Sequence, residues 1–422
     1  MTVQPVITTN HSANPITPFW RWWFVLQGGL FTWLSLAALG GKDRLLGVAA
    51  GLAVALIESL LLYVATRTTP HNIILRWLYA ANILLQIYTV PFLIANMTNV
   101  VLRWLDLRNS LVATIVLAGL LALGAVLHIP CAMVLLAPLR SLWTRGIVAI
   151  VSFDGVVGAS TGITDHLSKA VYPAFWRQLL DTGLYGALLL VLVGAIAMYQ
   201  WGYRGPSWRF NPQAQWWVLT IAAVVILYFI GQNSFGGGDS FKGLVVWQFQ
   251  LKAVNFTSIA EGLRAGIAEE WLYRYIVLAL LLHGLHDSRW QIGGSVFLCG
   301  FLFGVWHLDN ASVQPLLATL DQVQFAIITG WLIAALYLYT GSFIVPVAFH
   351  AGLDILAIMA SGTTLSSTPT FNQYLWGTIV ELTLVLLTVW LLTGRRKDAM
   401  TWTVDNIVPG NTLHFSTPFI QA

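Results

Sequence analysis

Gly266-Ile-Ala-Glu-Glu-Trp-Leu-Tyr-Arg274 places two carboxylates and a guanidinium inside Ile259–Leu282, a run otherwise apolar enough to cross a bilayer. About 20 residues at 1.5 Å each cover the hydrocarbon core. An ionised group held there costs several kcal/mol unless it is paired or hydrated. Glu270 and Arg274 are four apart, so on a helix they share a face and can form an ion pair. Glu269 points about 100° away from that face and needs a partner from another helix.

The following apolar runs supply candidates. Phe303-Gly-Val-Trp-His307 puts a histidine one turn after a phenylalanine, and Phe349-His350-Ala-Gly-Leu-Asp354 puts a histidine and an aspartate four apart on one face. A lone histidine near the end of an apolar helix is more often interfacial than a ligand; a His–Asp pair within one is the costly combination. Successive spans run antiparallel. Let face X be the membrane surface where the Ile259 helix begins. Glu269 and His350 then each lie roughly 15 Å below it and Asp354 roughly 9 Å, while the helix of His307 ends near the same face. All four groups are expected in the X half of the bilayer.

Composition makes lipid the main solvent. The chain is 57% hydrophobic and 9% charged, against about 25% charged in an ordinary soluble domain. The apolar runs are Trp22–Leu39, Leu45–Thr66, Leu75–Ala95, Leu111–Leu136, Ile147–Thr164, Leu179–Gln200, Trp216–Ile230, Ile259–Leu282, Gln291–Leu308, Phe325–Tyr339, Phe343–Ala360 and Thr378–Leu392. They predict an all-α, polytopic transmembrane helical bundle of about twelve spans. The net charge of +4 is small and spread over connecting segments, so no nucleic-acid partner is expected. Cys131 and Cys299 both lie in apolar runs, which excludes a disulfide framework. Met1–Pro18 has no Lys or Arg, and the first run reads as a retained helix, not a signal peptide.

The longest polar interruption holds Gly236, Gly237, Gly238 and Asp239, a cluster of chain breakers. It divides the chain into a transmembrane block over 1–231, a Gly-rich linker over 232–255, a core over 256–394 and a polar, poorly ordered tail over 395–422. Arg395–Lys397 would mark the cytoplasmic side and make face X external. Glu58 and Glu381 read as helix-packing hydrogen bonds, and His128, His283 and His286 as interfacial.

Three motifs in order, Glu269-Glu270-x-x-x-Arg274, Phe303-x-x-x-His307 and His350-x-x-x-Asp354, each on its own helix, resemble the CPBP (CAAX protease and bacteriocin-processing, Abi) intramembrane peptidases. That family includes the CAAX prenyl endopeptidases. The resemblance covers roughly Phe256 to Ala360, about a quarter of the chain, and implies a CPBP-like core in the C-terminal third. It assigns Glu269 and His307 to water activation, Glu270 and Arg274 to a supporting ion pair, and His350 with Asp354 to the oxyanion side. The chemistry agrees, because a partly desolvated carboxylate can take a proton from water and an imidazole can share or relay it. Amide hydrolysis also needs charge stabilisation of the tetrahedral oxygen.

Asp354 stands where many relatives have asparagine, and an ionised carboxylate cannot donate to an oxyanion. It must be protonated, orient His350 or bind metal. Glu269, His307, His350 and Asp354 are together a nitrogen and oxygen set of the kind Zn²⁺ takes, with an open position for water. Tyr273 and Tyr275 flank Arg274 where relatives commonly carry Phe and Gly. The expectation is an intramembrane (metallo)endopeptidase of a bacterial-type cell membrane, acting on a peptide or membrane-protein substrate in the lipid bilayer. Two other readings stay open: a non-catalytic membrane scaffold or immunity-type binding protein, and a proton-coupled secondary transporter, although no self-similar halves support the latter.

Overall fold

The computed structural model describes residues 18–38, 73–163, 171–236 and 240–408. The expected span Leu45–Thr66, and with it Glu58, lies outside them; every other expected span coincides with a helix. No β-strand occurs among the described residues. Eight helices there are long and apolar enough to cross a membrane, or nine if a pair bent by 56° is one span. Phe256–Gly284 is not among the eight, because its ionisable residues dilute its apolarity. The chain is an integral, multi-pass membrane protein.

The chain divides into two compact units. The first contains α1 (Pro18–Ala38), α2 (Ile73–Leu105), α3 (Ser110–Cys131), α4 (Leu142–Thr161) and the segment Leu192–Gly205. Asn109 caps α3 by accepting from the amides of Leu111 and Val112. Directly after Pro130, which cannot donate to the helix ladder, α3 passes into a π turn over Ala132–Leu136. Helices α2 and α4 approach closely at Gly155, where a Cβ would stand 2.8 Å from the Ile87 carbonyl oxygen. His128, expected at the interface, is buried instead, with Nδ1 2.7 Å from the Gly124 carbonyl.

The second unit comprises Ala174–Val191 and Pro206–Ile407. It contains α5 (Ala174–Asp181), the first part of α6 (Leu184–Gln200), α7 (Trp216–Phe235), α8 (Phe256–Glu270) and α9 (Leu278–Gly284). It continues through α10 (Gln291–Trp306), α11 (Leu316–Thr340), α12 (Ile344–Ser361), α13 (Phe371–Leu391) and α14 (Arg395–Ile407). A π turn over Trp271–Val277 joins α8 to α9. The stretch expected as a linker lies inside this unit, tied to α7 by the bond from Trp247 Nε1 to Gln232 Oε1 (2.9 Å) and to α12 by the amide of Lys252 on the Met359 carbonyl (2.7 Å). The chain changes unit at Ala174, Leu192, Pro206 and Val408.

The expected polar tail is also corrected, since Arg395–Ile407 is helical. Ala399, Met400, Thr403, Val404 and Ile407 recur on one helical face and are buried. Asn211 fastens this helix, its Nδ2 donating to the carbonyls of Tyr339 (3.2 Å) and Ala399 (2.7 Å). His283 is buried as well, while His286 is partly exposed beside Asp287. Glu381 accepts from Gln324 Nε2 at 2.8 Å, the packing bond expected of it.

Two glycine pairs set the helix spacing around the polar cluster of this unit. On α8, a Cβ at Gly262 would lie 2.7 Å from the Ile355 amide nitrogen, and one at Gly266 would lie 2.6 Å from Ala351 Cβ. The partner numbers fall as the glycine numbers rise, so α8 and α12 are antiparallel and nearly touch. On α10, Gly300 and Gly304 meet α11 at Trp331 and Ile327 in the same sense. Small residues four apart are the usual device for close packing in lipid. Gly266→Ala is therefore expected to cost about 1–3 kcal/mol by overpacking, whereas Gly352→Ala, with no atom within 4 Å of the new Cβ, should be neutral or mildly stabilising. Thermal unfolding of the two variants in detergent checks the contrast.

Candidate active site

The close approach of α8 to α12 places carboxylates opposite a histidine. Glu270 and Arg274 are fully buried, with Arg274 Nε 3.1 Å from Glu270 Oε2. The other carboxylate oxygen, Glu270 Oε1, accepts from His350 Nδ1 at 2.6 Å. Arg274 stacks its guanidinium over the Phe303 ring, 4.5 Å from the centroid, and reaches the Gly330 carbonyl with Nη2 at 3.5 Å. That carbonyl is within reach because Gly330 packs on Gly300 without side chains between them.

With Nδ1 donated to Glu270, His350 turns Nε2 toward the remaining acids. It lies 3.5 Å from Asp354 Oδ2 and 3.8 Å from Glu269 Oε2. Glu269 Oε2 is buried and accepts no hydrogen bond from the protein. On its other side Glu269 Oε1 faces Arg264 Nη1 at 3.9 Å, and Arg264 Nε faces Glu261 at 3.5 Å. Asp354 keeps about a third of its side-chain surface exposed, the most open of the three acids.

His307 caps the end of α10 and begins a 3-10 turn over His307–Ser312. Its Nδ1 is 2.9 Å from the Phe303 carbonyl, which can only accept, so Nδ1 carries the proton and Nε2 is left as a base. The Phe303 ring touches three groups, with centroids 4.9 Å from His307 and 5.7 Å from His350 and with Arg274 over its face. His307 also falls within electrostatic reach of Asp354. Of the six residues singled out from sequence, five are joined by direct polar contacts, and His307 joins them through Phe303.

Several participants gave no signal in the motifs. Arg264 precedes Glu269 by five residues, a spacing outside the i+3 and i+4 rule, and Phe303 acts as a platform, not only as a spacer. The π turn over Trp271–Val277 follows immediately after the two glutamates, the kind of place where such bulges concentrate. Its Tyr273 ring packs edge-on against Phe303 (5.1 Å) and Tyr275 packs on Trp271 (4.6 Å), so both tyrosines fill space beside the ion pair.

The Zn²⁺ expectation rests on Glu269, His307, His350 and Asp354. Among the described residues no group of three or more His, Cys, Asp or Glu is placed to hold a metal ion. His350 Nε2 instead faces Glu269 and Asp354 as an ion-pair partner.

A buried acid–histidine–arginine cluster thus lies inside a bundle of membrane-spanning helices. Residues 251–356, which include all six residues, match the family model described as Type II CAAX prenyl endopeptidase Rce1-like. This part of the chain is similar to the Rce1-like family, in keeping with the CPBP resemblance of its motifs. No curated protein and no solved structure matches the chain. The domain supports an intramembrane endopeptidase-type role.

Proposed function

We propose that the chain hydrolyses a peptide bond presented at or within the bilayer, with Glu269 as the base that takes a proton from water. The observation that carries this reading is the Glu269 carboxylate itself: it sits between Arg264 and His350, and Oε2 accepts no protein hydrogen bond. A water donating to that oxygen gains nucleophilicity as its proton leaves. His307 Nε2, an acceptor in the tautomer fixed by the Phe303 carbonyl, holds the second proton of the water or relays the first toward the leaving amine.

His350 is the group suited to the developing oxyanion. Its Nδ1 is anchored on Glu270, whose charge is held by Arg274, and as an imidazolium beside the Glu269 and Asp354 carboxylates it carries a second proton on Nε2, held in a fixed direction. Of the roles open to Asp354, orienting His350 fits the 3.5 Å contact best. No metal-dependent step is part of the proposal.

The test is cleavage of a membrane-anchored reporter peptide by the purified chain in liposomes. His307→Ala should lower kcat by about 10²-fold or more with little change in unfolding temperature. Activity within a few fold of wild type would remove His307 from the mechanism, and no cleavage of any membrane-anchored peptide by the wild-type protein would return the cluster to a structural role.

A further inference from the structure

We infer that the N-terminal end of α4, in the first unit, is a binding site for a phosphate group, carried by a phospholipid headgroup or free in solution. Helix α4 is 20 residues long and begins after Ser141, whose backbone is extended and whose side chain makes no capping bond. The amides of Leu142 and Thr144 lie in the first turn, where no earlier helical carbonyl is available to them. Within that turn three side-chain atoms are buried and lack any hydrogen-bond partner: Ser141 Oγ, Thr144 Oγ1 and Arg145 Nη1. Each of these residues is only 5% exposed.

Native interiors leave few polar atoms unpaired, so three in one helical turn call for a ligand. Side chains of a first turn lean back toward the helix N-terminus, the direction in which first-turn amides point. Arg145 is held so that one edge remains available. Its Nε donates to the Leu139 carbonyl (2.9 Å), Tyr203 bonds the side chain, and the guanidinium lies 5.1 Å from the centre of the Trp201 ring. Trp201 is itself fixed by its Nε1 on the Leu136 carbonyl (2.8 Å).

The segments that build this turn are poor in acids: no Asp or Glu occurs between Asp106 and Asp154 or between Asp181 and Asp239, while Arg140 is exposed beside the turn. Amides, hydroxyls and a guanidinium edge together match the several anionic oxygens of a phosphate. The turn follows directly on the span Ser110–Leu136 and opens the span Leu142–Thr161, which puts it at headgroup depth.

The experiment is native mass spectrometry of the full-length protein in detergent, titrated with dioctanoyl phosphatidylglycerol, dioctanoylglycerol and inorganic phosphate. The phospholipid should bind, and dioctanoylglycerol, which lacks the phosphate, should not compete with it. Ser141→Ala combined with Thr144→Val removes two hydroxyls without protein partners, so the fold should be kept, yet affinity should fall about tenfold or more. Arg145→Gln should weaken binding further. If inorganic phosphate binds with the same sensitivity and displaces the lipid, the site takes the free anion; if it does neither, the source is the lipid. Phospholipid and phosphate binding that are both unchanged in the double variant, or absent from the wild type, would overturn the assignment.

Discussion

Glu269→Gln is expected to lower kcat by about 10³-fold, within the range that loss of a positioned general base produces, while the variant folds as wild type does. The amide keeps the volume and one acceptor oxygen but cannot take a proton from water. What it loses structurally is small, because the contacts of Glu269 with Arg264 and His350 are long, 3.9 and 3.8 Å, and long, partly solvated ion pairs contribute little. A large kinetic effect with an unchanged unfolding temperature separates a base from a packing residue. Retention of activity to within a few fold would sink the role assigned to this carboxylate. Loss of folding yield together with activity would favour the scaffold reading.

Arg274→Met carries the opposite signature, a large cost in stability. It strips the counter-ion from Glu270, a carboxylate with no exposed surface. Breaking such a pair from one side typically costs 3–5 kcal/mol, about the same as is expected here. The Phe303 ring also loses its cation, and His350 loses a firmly charged acceptor for Nδ1. The double variant Glu270→Leu/Arg274→Met should recover much of the stability, because an apolar pair of similar size leaves no uncompensated charge. It should not recover catalysis, since His350 is then unanchored. Unfolding in detergent, analysed as a double-mutant cycle, checks both. An Arg274→Met variant as stable as wild type would mean that Glu270 reaches water or another cation.

Much of the core was readable because ionisable residues are expensive in an apolar helix. The i, i+4 pairs Glu270–Arg274 and His350–Asp354 announce shared faces, and the antiparallel depth argument places Glu269 level with His350, which are 3.8 Å apart. The bond from His350 to Glu270 was not readable. It depends on how closely α8 and α12 approach, which Gly262 and Gly266 decide through contacts with residues some ninety positions away. Arg264 escaped notice for a related reason: its link to Glu269 spans five residues and depends on side-chain reach.

Outside the site, local polarity misled at Arg395–Ile407. Its charged first turn hides a buried stripe that only α11 and Asn211 reveal. The Gly-rich stretch packs on α7 and α12, contacts that a glycine cluster does not announce, since it marks a bend without saying which side each arm will pack against. The burial of His128 rests on a bond to its own helix at Gly124, a local solution that satisfies one ring nitrogen away from any interface.

The π turn over Trp271–Val277 has a consequence for how this span tolerates change. A wide turn accommodates a surplus residue, so the lower segment, which follows it, is rotated by about 100° from where an unbroken α-helix would place it. The acids at 269 and 270 can stay aimed at α12 while Leu278–Leu282 remain wholly enclosed by their own neighbours. Sequence drift in the lower segment is thereby uncoupled from the aim of the reacting groups.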